Sequence, residues 1–482
     1  MATIIGRKKE ILELNELYKS DKPELIAVYG RRRVGKTFLI DQALKNNITF
    51  RHAGLSPVDE KGKKNLMPEQ LKHFYYSLLL QGMKKSHVPT SWLEAFFMLE
   101  MHLQKIDKGK RMVIFLDELP WMDTPRSGFL TAFESFWNGW ACHRDNIMVI
   151  VCGSANSWIH DKLLNNYGGL YGRTTHEIKL SPFTLNESEQ FFASRKIRIS
   201  RYDIVQSYMM LGGIPYYLGY FDKDKSLPQN IDKLFFAEQP KLHDEYNRLF
   251  NSVFTNPDEM KSIVDFLGKS HAGYTRKEIL KHLNIEDSGS FSDKLKSLVA
   301  SDFITEYIPF GESKRNTHYK LIDPFCYFHQ KYIHGQHTME NDFWSRNHCS
   351  QSVISWRGIA FEEVCFKHVA QIKQALGILG VTTTQSAWSV SGDDEAEGTQ
   401  IDLLVERNDN ITNMCEMKFY SEEYSIDKSY HNKLMHRQNI LLENISKKSA
   451  IHTTLVTTYG LKYNEYSGDF TNVITLDDLF KE

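Results

Sequence analysis

The chain has 482 residues, too many for one ordinary hydrophobic core, and its length points to roughly three domains. Apolar residues make up 41% and aromatics 12%, which excludes a largely disordered chain. The 59 lysines and arginines almost cancel the 60 aspartates and glutamates, so any contact with nucleic acid needs a local patch rather than a global basic field.

Six cysteines (Cys142, Cys152, Cys326, Cys349, Cys365 and Cys415) lie scattered with no CxxC pair, which argues against a disulfide framework and a zinc site and fits a reducing cytosol. The N-terminus lacks an apolar signal core, and no run of about 18 apolar residues occurs. A cytoplasmic protein without a membrane segment is expected.

Residues 1–180 alternate apolar strands with amphipathic helices. Strands are expected at Leu25–Tyr29, Ile48–His52, Met112–Leu116, Ile147–Cys152 and His176–Leu180, an order that implies a parallel sheet covered by helices. An insertion from about Gly54 to Lys110 carries two helices, HFYYSLLL and SWLEAFFMLEMHL, on the flank of that sheet.

Between the first strand and its helix stands Gly30-Arg31-Arg32-Arg33-Val34-Gly35-Lys36-Thr37, a GxxxxGKT phosphate loop, followed by Phe38. Its glycines let backbone N–H groups wrap phosphates, and the helix N-terminus favours their negative charge. Lys36 is expected at the β/γ-phosphates, and the Thr37 hydroxyl on Mg²⁺. The third strand ends in Asp117-Glu118. Asp117 suits Mg²⁺ held through water, and Glu118 suits polarisation of an attacking water. The fourth strand ends at Ser154 and Asn156, where a polar γ-phosphate sensor fits. Arg173, just before the fifth strand, is either an arginine finger, within the chain or from a neighbour, or an ordinary exposed loop arginine. A homo-oligomer is expected if it acts on a neighbour.

The motifs IIGRKKEILEL, GRRRVGKT, FLDELPW, VCGSANSWI, LYGRTT and LGGIPYYL, in that order, resemble the prokaryotic family often called archaeal-type ATPases, relatives of the STAND signalling NTPases. The resemblance covers about residues 1–330. It implies an AAA+-like domain that binds ATP, with Ile5, Gly6 and Arg7 near base and ribose and Pro215, in a GxP motif, near adenine. Many STAND relatives hold nucleotide as a switch and hydrolyse it slowly.

Farther along, residues about 255–330 read as short helices followed by two strands, the order of a winged helix-turn-helix. Its recognition helix is placed at Ser290–Val299, with Ser292, Lys294 and Lys296 outward.

A β-hairpin is expected in the last domain, with Asp402 on its first strand, a turn at 408–410, and Glu416 and Lys418 on its second. Folding about Asp409 sets 402 opposite 416, and the period of two adds Lys418 to the same face. Paired carboxylates directly across a hairpin repel unless a cation lies between them. Asp402 and Glu416 therefore suit Mg²⁺, with Lys418 orienting water, and Glu362 on an upstream helix is a further carboxylate. Lys433, His436, Arg437 and Gln438 on the next helix suit a phosphate backbone. The arrangement resembles the PD-(D/E)xK nuclease superfamily over about residues 352–482, with Gln400-Ile401 where the name has proline.

The expected fold is α/β throughout, with four parts. A P-loop NTPase parallel sheet (1–183) precedes a helical lid (184–252) and a winged helix-turn-helix (253–335). A C-terminal α/β PD-(D/E)xK nuclease-like domain (350–482) completes it. The expected function is an ATP- and Mg²⁺-binding ATPase controlling a nuclease that acts on nucleic acid, DNA ahead of RNA. Two other outputs fit the same residues: a nucleotide switch with a non-catalytic last domain, or an ATP-dependent DNA-binding regulator.

Overall fold

The computed structural model describes residues 4–56, 66–154, 158–164, 169–170, 172–254, 256–335, 340–390, 399–445 and 449–482. The chain divides into two compact units. The first comprises Met1–Pro182, Asn247–Asp258 and Ser290–Asp302, and the second comprises Phe183–Tyr246, Glu259–Gly289 and Phe303–Glu482.

The first unit is built on β1 (Glu24–Tyr29), β2 (Ile48–Ala53), β3 (Met112–Asp117), β4 (Ile147–Gly153) and β5 (His176–Lys179). All are parallel, in the order β2-β3-β4-β1-β5. Every residue of β1 and β4 is buried, as expected for parallel strands covered on both faces, whose sequences run apolar without alternation. The expected strands thus form within a residue or so of their predicted ends. The expected insertion helices are Met67–Leu80 and Trp92–Ile106. Ser91 caps the second by accepting from the N–H of Glu94, and Trp92, Phe96, Leu99 and Leu103 bury one of its faces in the core under β3.

Ser290–Asp302, which contains most of the helix Gly289–Ala300, belongs to this first unit rather than to the unit holding the neighbouring elements Tyr274–Leu283 and Ile304–Leu321. Of the residues expected to face outward there, Lys296 is exposed, whereas Ser292 and Lys294 are half-buried.

In the second unit, helix Arg201–Leu211 runs from its Ser200 cap to Gly212 and packs against helices Pro324–Tyr332 and Gln351–Lys367. A three-stranded antiparallel sheet joins β6 (Tyr274–Thr275), β7 (Ile304–Tyr307) and β8 (His318–Leu321) in the order β6-β8-β7. Thr275 and Glu278 form a capping box at the start of helix Arg276–Leu283.

The C-terminal sheet contains β9 (Thr383–Val390), β10 (Thr399–Arg407), β11 (Ile411–Lys418), β12 (Ala450–Thr457) and β13 (Asn472–Ile474), in the order β13-β12-β11-β10-β9. It is mixed: β9, β10 and β11 are antiparallel neighbours, whereas β12 runs parallel to β11 and to β13. Helix Gln351–Lys367 packs on β11, and helix Lys428–Asn444 packs on β10, where Leu434 and Leu441 meet Leu404, Met414 and Leu455 in an apolar cluster.

His368, at the C-terminus of helix Gln351–Lys367, ties this domain to the start of the unit. Its Nδ1 lies 2.7 Å from the carbonyl of Val364, and its Nε2 accepts from the N–H of Leu185 at 3.0 Å. Burial pushes its pKa down to about 4, against the tautomer-preserving bond to Val364. The folded ring therefore stays neutral where the unfolded ring, near 6.5, takes up a proton. Stability from this site is intact above pH 6.5 and is lost as pH falls toward 4, by up to about 3 kcal/mol. In urea titrations at a series of pH values, His368→Phe is expected to flatten this part of the profile, and an unaltered profile would contradict the assignment.

Candidate active sites

In the first unit the chemistry collects at the carboxyl ends of the buried strands. Gly30 leaves β1 at φ 147°, where a Cβ would lie 2.2 Å from the carbonyl oxygen of Leu180; no side chain fits there. Arg33 (φ 72°) and Gly35 (φ 94°) also take left-handed conformations, curling the loop into helix Lys36–Ala43. Arg31 and Val34 are buried, Arg32 and Arg33 half-buried, and Phe38 is exposed on the first helical turn. Lys36 is buried within the loop, its Nζ donating to the carbonyls of Gly30 (2.9 Å) and Arg31 (3.1 Å). A phosphate placed in the loop would meet this ammonium at once.

The Thr37 hydroxyl donates to Asp117 Oδ2 at 2.8 Å, joining the loop to the end of β3 across the intervening β4. Asp117 Oδ1 accepts from the N–H of Glu118, which takes a left-handed turn at φ 46°. That turn aims the Glu118 carboxylate at β4, where Ser154 donates through its hydroxyl (2.7 Å) and its N–H (3.2 Å). Gly153 is what admits this approach, since a Cβ there would sit 2.8 Å from Cδ of Pro120. Beside the cluster, burial and then the Asp117 charge push the Cys152 thiol well up, so it remains protonated.

Lys36, Thr37, Asp117, Glu118 and Ser154 are thus brought together as the sequence anticipates. Ile5 and Gly6 are half-buried, and Gly6 and Arg7 take successive left-handed conformations before helix Lys8–Lys19. The Arg7 guanidinium reaches the carbonyl of Ser181 (2.7 Å) and that of Val34 in the phosphate loop (3.5 Å). Arg173 is exposed, on a turn closed by its N–H to the carbonyl of Leu170. Pro215 opens the short helix Pro215–Leu218 of the second unit, and Asn156 lies outside the described residues.

In the C-terminal sheet the hairpin turns about Asp409 as expected, and Leu403 faces Cys415, one step inside the anticipated 402/416 position. Between Ile401 and Leu404 the register against β9 shifts by one residue, and both enter the same apolar cluster. The side chain of Asp402 lies outside the described residues.

Glu416 is fully buried, with Lys418 Nζ 3.7 Å from its Oε2. Its carboxylate already has strong partners. Arg437 Nη1 lies 2.6 and 2.7 Å from its two oxygens, and the Tyr430 hydroxyl donates to Oε2 at 2.6 Å. Burial, reinforced by Glu416, pushes the Tyr430 hydroxyl well up, keeping it a donor. Arg437, read from sequence as following a phosphate backbone, instead turns inward. The available signal was its spacing of seven from Tyr430, which puts both on one helix face.

Glu362 is half-buried on the wall of a separate cavity of about 630 Å³, with Lys320, His271 and Trp388. The neighbouring Glu363 forms the ion pair with the buried Lys320. Among the described residues no group of three or more His, Cys, Asp or Glu side chains is arranged for a metal, and no helix is long and apolar enough to cross a membrane.

A family described as an ATPase domain predominantly from Archaea matches residues 4–221. An uncharacterized protein of Methanocaldococcus jannaschii is 26% identical over 377 residues, covering 77% of this chain and 78% of that protein. An uncharacterized ATP-binding protein of the same organism is 48% identical over 42 residues, 9% of this chain and 71% of that protein. Among solved structures, the Walker-type ATPase of Pyrococcus abyssi aligns at 19% identity and a TM-score of 0.48, covering 68% of this chain and 96% of its own. The family match coincides with the phosphate loop, the acidic end of β3 and the parallel sheet that joins them, and residues 4–221 of this chain therefore carry a P-loop ATPase domain of the archaeal type.

Proposed function

We propose that the chain binds and hydrolyses ATP with Mg²⁺ at the phosphate loop, and that nucleotide state controls a C-terminal domain acting on nucleic acid. The observation that carries the proposal is the bond between Thr37 and Asp117, with Glu118 held by Ser154 beside it. Thr37 and Asp117 offer a hydroxyl and a carboxylate within one hydrogen bond of each other, a hard-oxygen set that fits Mg²⁺. When bound, Mg²⁺ neutralises charge on the β- and γ-phosphates. Lys36 exchanges its carbonyl partners for phosphate oxygens, and the loop N–H groups orient the chain of phosphates. Glu118, fixed by two donors from Ser154, accepts the proton of the attacking water.

For the C-terminal domain, the order helix Gln351–Lys367, β9, β10, β11, helix Lys428–Asn444, β12 and the proximity of Lys418 to Glu416 support a nuclease-like reading, with DNA ahead of RNA as substrate. A second reading is favoured by Arg437. With a guanidinium on both its oxygens, Glu416 does not fit a cation as arranged, which supports a nucleotide switch whose last domain is non-catalytic.

Lys36→Ala is expected to abolish the rise in Tm that ATP and Mg²⁺ give the wild type. Glu118→Gln is expected to keep that rise while slowing ATP turnover by about 10²- to 10⁴-fold in a phosphate-release assay. Plasmid DNA incubated with Mg²⁺, with and without ATP, tests the output. Cleavage lost in both Asp402→Ala and Lys418→Ala supports the nuclease, whereas intact plasmid in every condition leaves the switch.

The two readings also part at Arg437. Arg437→Gln leaves the buried Glu416 with Lys418 as its remaining cation and without the guanidinium on both oxygens, so the Tm is expected to fall. Under the nuclease reading, Mn²⁺ then restores several degrees in this variant and little in the wild type; equal responses would favour the switch.

A further inference from the structure

Helix Trp92–Ile106 is apolar on two opposite faces. Trp92, Ala95, Phe96, Leu99 and Leu103 are buried in the first unit's core, whereas Leu93, Phe97 and Met101 are 59%, 60% and 53% exposed. These three stand at i, i+4 and i+8, a single ridge about two turns long. An apolar ridge of this kind is ordinarily buried, and among the described residues this one is left open to water.

The ridge continues into neighbouring segments. His87 and Thr90 both bond Glu94, which brings the chain around Val88 (41% exposed) against the helix start. At the other end His102 Nε2, on the buried side of the helix, meets the carbonyl of Gln81 at 3.1 Å. Leu93, Phe97, Met101 and Val88 together leave on the order of 400 Å² of apolar surface open to water. That is the size of the largest patch on an ordinary monomer, and such patches mark interaction sites.

We propose that this face docks on the same face of a second copy of the chain, forming a twofold dimer. The ridge is symmetric about its middle. Rotation about an axis through Phe97 sets Phe97 on Phe97 of the other copy and Leu93 on Met101, so each large apolar side chain meets another. Ridges made of residues four apart interdigitate at the commonest helix crossing angle. Antiparallel components of the two helix dipoles add a small favourable term. Two such faces bury on the order of 800 Å² of apolar surface, and a polar rim brings the total toward the range of specific interfaces, about 1,200 Å² and above. The face lies on the insertion between β2 and β3, away in sequence from the phosphate loop, and includes none of the residues assigned to nucleotide above.

Sedimentation equilibrium of the full chain, from about 1 to 50 μM, tests the proposal. The wild type is expected to be dimeric. Phe97→Asp is expected to raise the dimer dissociation constant by about thirtyfold or more while keeping the ATP-induced rise in Tm, which shows that the variant is folded. Leu93→Glu and Met101→Lys should each weaken the dimer. Combined in one chain they should restore it, because the twofold sets each introduced acid against an introduced base. A monomeric wild type over the whole range, which would assign the face to a different protein, overturns the proposal. So does a dimer indifferent to Phe97→Asp.

Discussion

Complete burial of parallel strands governs where chemistry can occur in the first unit. β1 and β4 are buried throughout, and β3 up to its half-buried last residue, so polar side chains can emerge only at or beyond the strand ends. Parallel strands bring all those ends to one edge. Lys36 and Thr37 follow β1, Asp117 and Glu118 end β3, and Ser154 follows β4. The bond between Thr37 and Asp117 spans a strand that separates their own, which is possible because β4 stops at Gly153 and leaves room above it.

The two carboxylate clusters of the chain differ in how their charge is balanced. Asp117 and Glu118 are held by hydroxyls and backbone N–H groups, neutral donors that leave negative charge available to a cation or a water. Glu416 is balanced by a guanidinium and a phenol in a fully buried setting. The first arrangement is open to exchange of partners at little cost. Removing Arg437 from the second leaves a buried carboxylate whose remaining cation is Lys418 at 3.7 Å, a loss of up to about 3–5 kcal/mol. A metal competing for Glu416 has to offset that loss.

Several expectations met a packing effect that spacing does not encode. Strand alternation puts Ile401 and Leu404 on opposite faces, but the register shift against β9 between them brings both into one apolar cluster. A polar helix reads as surface, yet Arg437 is drawn inward, where its guanidinium meets both oxygens of the buried Glu416. Ser290–Asp302 follows Arg276–Leu283 closely in sequence but belongs to the other compact unit, and its Phe291, Leu295 and Leu298 are buried.

What the sequence by itself determined is local and periodic. Apolar runs specified the five strands of the first unit, and GxxxxGKT specified a loop with glycines where the backbone turns left-handed. The acidic pair at the end of β3 and the hairpin centred on Asp409 were legible for the same reason, since each depends on neighbours a few residues apart. Tertiary structure alone decided the strand order, the capture of Glu118 by Ser154 across 36 residues, and that of Glu416 by Arg437 across 21. It also decided which face of helix Trp92–Ile106 entered the core, because both faces are apolar and only one could pack against β3 and its neighbours. Such pairings are settled by competition among many partners for burial and hydrogen bonds, and a spacing along the chain carries no record of the winner.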